Sequence, residues 1–155
     1  MLMRRALTTL TALLIALTLA AEPALAQKKT LAVALNEDPD ILDPTLARTY
    51  VGRIIFAQMC EKLYEIDESL KIFPQLAADM PAFADGGKTV TIKLRAGVKF
   101  NDGTPMNAES VRYSLDRHLN MKGSTRRSEL ESINTIEVVD PLTVRLRLKA
   151  PFSPL

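Results

Sequence analysis

The chain has no tryptophan, one cysteine and one histidine, and aromatic side chains make up 5% of its 155 residues. A single cysteine, Cys60, excludes an internal disulfide. A single histidine, His118, has no Cys or second His to join it, which leaves neither a zinc set nor a nucleophile relay a constellation to stand on. Charge of a dominant sign is also missing, with 20 Lys and Arg against 18 Asp and Glu. Such a balance offers no field to nucleic acid or anionic lipid. The local basic cluster Arg117, His118, Lys122, Arg126 and Arg127 carries no interleaved aromatics and reads as a solvated face. Internal repeats and low-complexity segments are absent.

One long apolar stretch is present, and it reads as an address. Arg4 and Arg5 form a charged start, Ala6 to Ala20 is apolar apart from threonines, and Ala24-Leu25-Ala26 is an A-x-A exit. The run is shorter than the roughly 20 residues of a membrane-spanning helix, so a secretory signal peptide over residues 1–26, cut before Gln27, is the expectation. No cysteine follows the cut, which argues against a lipid anchor. Taking Arg4, Arg5 and Glu22 away from the 20 basic and 18 acidic side chains leaves 18 and 17.

Thr30 to Leu35 is a continuous apolar run, as in a strand buried on both faces. Asn36 to Pro44 follows as a loop, since two prolines keep it out of helix. Asp38, Asp40 and Asp43 within it lack the glycine and late bidentate Glu of a calcium loop, and read as a solvated loop with Asx turns. From Ala47 to Tyr64, Val51, Ile54, Ile55, Met59 and Leu63 recur at helical steps. Cys60 shares that stripe with Phe56 and Leu63, so a buried packing role is expected. Further on, Ile136–Val139 and Leu142–Leu148 read as a hairpin turning at Asp140-Pro141, with Leu142, Val144, Leu146 and Leu148 on one face.

The most informative stretch runs from Lys88 to Asp116. Val90, Ile92 and Leu94 alternate with Thr89, Thr91, Lys93 and Arg95, the period of a half-buried strand. Gly97 breaks it, Val98 and Phe100 turn inward, and Asp102-Gly103 makes a tight turn. Asn107 is placed to cap a helix over about residues 108–119, whose Val111, Leu115 and Leu119 lie on the strands.

The ordered run Leu94-Arg95-Ala96-Gly97-Val98-Lys99-Phe100, then Asp102-Gly103-Thr104-Pro105, resembles the family 5 extracellular solute-binding proteins of bacterial peptide and nickel ABC importers. Leu42-Asp43-Pro44 resembles the family's segment after its first strand, and Lys149 to Leu155 its strand ending in Pro-Phe. Asn101, Met106 and Ser110 depart from the usual His, Phe and Asp, and the usual Trp near Met80 is missing.

The resemblance implies an α/β, type II periplasmic-binding-protein-like fold in truncated form. Residues 27–70 would hold the first strand and helix of lobe I, and residues 71–155 an incomplete part of its inserted α+β subdomain. It implies a periplasmic monomer that binds a peptide or similar small solute between two lobes and hands it to an inner-membrane permease, with no cofactor and no catalysis. Arg48, Thr49 and Tyr50, just beyond Leu-Asp-Pro, are the implied ligand-facing residues. A secreted hydrolase finds no nucleophile with a base in reach. A secreted adaptor that pairs through an exposed sheet edge stays open.

Overall fold

The computed structural model describes residues 30–152, so the signal peptide and its cleavage point lie outside the described residues. Two units part between Ala34 and Leu35. In the first, residues 30–34 form no strand, and Leu31 and Val33 are exposed. This corrects the strand expected over Thr30 to Leu35. An apolar run becomes a strand only where neighbours take up its backbone N–H and C=O groups. None of the described strands pairs with it.

The second unit is organised on the alternation read from the sequence. Its sheet has the order β3 (Ala82–Ala84), β4 (Thr89–Lys93), β6 (Thr143–Leu148), β5 (Ile133–Asp140), antiparallel throughout. Val90 lies opposite Leu146 and Ile92 opposite Val144, so the apolar faces of β4 and β6 meet side by side. With Leu94, Leu148 and Ile133 they make the buried core, on which Met106, Ala108 and Val111 close. The polar face carries Arg147 paired with Asp85 and Glu137, and Arg145 with Glu137. Such solvent-facing pairs are worth little to stability. The edges are blunted, β3 by its three-residue length and β5 by two register shifts.

Helix α2 (Ala108–Asn120) covers the apolar face with Val111, Leu115 and Leu119. Its start is fixed by a reciprocal cap. Asn107 Oδ1 accepts from the Ser110 amide at 3.0 Å, and Ser110 Oγ accepts from the Asn107 amide at 3.0 Å. A short α3 (Arg127–Leu130) follows the polar loop.

Helix α1 spans Tyr50–Met59, shorter than its apolar period suggested. Strand pairing takes over after it: the Leu63 carbonyl accepts from the Gln75 and Ala77 amides, and the Lys62 carbonyl from Leu76. Beyond lies the hairpin of β1 (Tyr64–Ile66) and β2 (Ile72–Pro74). Cys60 therefore sits in extended backbone at the helix end and is exposed, which corrects its expected burial. Phe100 is likewise 48% exposed, because the tight Phe100–Thr104 turn carries it off the sheet, whereas Val98 packs on the core.

Candidate ligand-facing segment

Arg48, Thr49 and Tyr50 form the entrance to α1, and local hydrogen bonds explain their placement. Thr49 is the N-cap, its Oγ1 accepting from the Gly52 amide at 3.1 Å. Asp40 reaches across the loop to accept from the Arg48 amide at 2.9 Å and from the Thr49 hydroxyl at 3.3 Å. The Arg48 amide, more than any other contact, holds the Asp40 carboxyl below its usual range. Thr49 is half-buried by these contacts, while Arg48 and Tyr50 are exposed. An exposed guanidinium offers a planar fork to a carboxylate, and a tyrosine offers a ring face with a polar tip.

The segment leading to this entrance is gripped from 70 residues and more away in sequence. Asp43 Oδ1 accepts from the Thr45 amide at 2.9 Å in an Asx turn. Both Asp43 oxygens also receive the guanidinium of Arg117, at 3.0 and 2.6 Å. That fork-to-fork pair is the main reason the Asp43 carboxyl drops to about 2. Thr45 is fully buried; its Oγ1 accepts from Arg117 and lies 2.9 Å from His118 Nδ1. Thr125 donates through its amide to the Thr45 carbonyl, and Arg126 donates to the Pro44 and Ala47 carbonyls.

Three members of the basic cluster are therefore not a solvated face. Arg117, His118 and Arg126 hold the Asp43–Ala47 turn against the end of α2. Nothing local in the sequence marks this contact; its one hint is an Arg-His pair late in a helix, with a loop Arg to follow. Asp40 and Asp43 spend their oxygens on these partners, and among the described residues no group of three His, Cys, Asp or Glu converges as a metal set.

Beside the clamp, a largely apolar groove of about 510 Å³ runs between Phe56, Cys60, Leu63, Phe100, Met106 and His118. None of Arg48, Thr49 and Tyr50 lines it. Among the described residues no helix is long and apolar enough to cross a membrane.

Comparison with known proteins defines the class. Residues 71–155, more than half of the chain, match the model of the bacterial extracellular solute-binding proteins, family 5 Middle. The chain belongs to this family. The glutathione-binding protein GsiB of Salmonella choleraesuis is 39% identical over 145 residues, 93% of this chain and 28% of that protein. The chain thus spans under a third of the length of such relatives. Among solved structures, AgaA from A. tumefaciens in complex with agropinic acid is 35% identical with a TM-score of 0.68, over 74% of this chain and 23% of that one. Listeria monocytogenes OppA bound to peptide is 26% identical with a TM-score of 0.67, over 72% of this chain and 25% of that one. The fold is accordingly a partial α/β piece of the type II periplasmic-binding-protein architecture.

Proposed function

We propose that this chain supplies part of a periplasmic solute receptor that serves an ABC importer. The match over residues 71–155 to the solute-binding family carries the proposal. Residues 1–26 export the protein and are removed. Residues 27–70 contribute to lobe I, and residues 71–155 to the subdomain inserted in it. The boundary between the two falls in the turn of the β1–β2 hairpin. Ligand is held between this part and a second lobe, and contacts made by both stabilise the closed form by their differential affinity for it. The closed receptor docks on an inner-membrane permease. It works as a monomer, binding without chemistry.

Arg48, Thr49 and Tyr50 line the ligand side. Arg48 is exposed on a backbone fixed by Asp40, which suits it to the carboxylate of a peptide-like solute. Thr49 sets the helix entrance, and Tyr50 offers its ring and hydroxyl. No comparison favours the adaptor reading.

The test is a chimera in which this chain replaces the matching 145-residue stretch of the glutathione-binding relative. After a cooperative melt confirms folding, glutathione and a di- and tripeptide pool are titrated by calorimetry. The expected result is binding, weakened by tenfold or more in Arg48→Ala and Tyr50→Ala. A folded chimera that binds none of these solutes would overturn the receptor reading. Binding indifferent to both substitutions would overturn the residue assignment alone.

A further inference from the structure

We propose that Arg117 and His118 are positioning residues for the Arg48–Tyr50 entrance, forming a clamp that is tight while His118 is neutral and loosens when it is protonated. The link to ligand rests on the function proposed above; the clamp itself rests on geometry. Thr45 Oγ1 accepts a hydrogen bond from Arg117, which lets its own hydroxyl donate to His118 Nδ1, 2.9 Å away. Nδ1 is then the acceptor, and the neutral imidazole carries its proton on Nε2. Protonation would turn this bond round, so that Thr45 Oγ1 accepts twice, and would set a third positive charge beside Arg117 and Arg126. Thr45 is fully buried, so its displaced hydroxyl proton finds no water to bond.

The surroundings of the ring pull in both directions. Burial disfavours the imidazolium first, then the positive charges of Arg117 on α2 and Arg126 on the following loop. Asp43 from the clamped turn and Glu129 from α3 oppose them without prevailing, so the His118 pKa lies below its ordinary 6.5. Asp43 itself, held at about 2, stays ionised across the range in which a histidine titrates.

A pKa lowered in the clamped form makes protonation favour the open one. The open segment leaves His118 at its ordinary pKa, so the closed form has its full advantage above 6.5 and loses it as pH falls through the lower, clamped pKa. Over that window the opening equilibrium rises by up to about tenfold per pH unit. Opening releases the Thr45 carbonyl from Thr125 and the Ala47 carbonyl from Arg126, one residue before Arg48.

His118 is the sole histidine, so its imidazole resonances can be followed without assignment. In the full chain, ¹⁵N shifts should show Nδ1 unprotonated at neutral pH and a titration midpoint below 6.5. Hydrogen exchange, corrected for intrinsic rates, should show protection of the Ala47 and Thr125 amides falling through the same window while β4 and β6 hold. Thr45→Ser should keep this profile, and His118→Phe should flatten it. A midpoint at or above 6.5, an Nδ1-protonated ring, or clamp protection that does not change with pH would overturn the proposal. An unaltered profile in a folded His118→Phe variant would do the same. No ligand enters these measurements, so their failure is distinct from failure of the receptor reading.

Discussion

Leu146 is the position where a single truncation tells most about the core. It is 2% exposed, stands on the central strand β6 opposite Val90 and Ile136, and yet flanks a groove of about 410 Å³. That groove also meets Leu63, Ile72, Met80, Leu115 and Leu130, so the β1–β2 hairpin and the helices only partly roof the sheet. Leu146→Ala removes three carbons, worth about 2.4 kcal/mol at about 0.8 kcal/mol per methylene. In a closed core, residual cavity would push the loss toward the top of a range of about 2–5 kcal/mol. Here the new space joins one that already exists, so the loss should stay at about 2–3 kcal/mol. The converse substitution, Leu146→Phe, should cost under about 1 kcal/mol, where overpacking a closed core costs about 1–3 kcal/mol. Urea unfolding followed by far-UV circular dichroism, needed because the chain lacks Trp, reads both. A loss of about 4–5 kcal/mol for the alanine together with more than about 2 kcal/mol for the phenylalanine would refute the open roof.

Two further outcomes are specific. Asn107→Ala should destabilise by about 1 kcal/mol because it removes half of the reciprocal cap on α2, and Asn107→Ser should recover most of it; urea midpoints check both. Cys60, exposed at the end of α1, should react with a thiol reagent in the native protein at stoichiometric yield, without the wait for denaturant that a buried thiol would show.

The elements legible in the sequence are those whose signal is local and whose partners lie within the second unit. Val90, Ile92 and Leu94 face the core as their alternation required, because β6 offers the same period alongside. The hairpin turned at Asp140-Pro141, and Asn107 capped α2, since turn and cap chemistry act over three or four residues. The run from Thr30 to Leu35 carried an equally clear pattern but takes no partner among the described strands, and a strand is a property of pairs. The helical period from Ala47 to Tyr64 ends at Met59, beyond which Lys62 and Leu63 pair with residues 75–77, a contact that helical spacing cannot report. Cys60 and Phe100 depart from expectation for the same reason, since a stripe along the chain does not report where a helix end or a tight turn carries a side chain off the core. The grip of Arg117 on Asp43 joins residues 74 apart, so charge patterning alone described both ends as solvated.

The central proposal is that this chain forms one wall of a binding site that needs two, because closure would draw its energy from contacts made by both lobes. Calorimetric titration of the purified chain from Gln27 to Leu155 with a peptide pool tests it most directly. The account predicts no saturable heat up to about 1 mM ligand, a limit that corresponds to about 4 kcal/mol of binding. Micromolar binding by a monomer that melts cooperatively would contradict it.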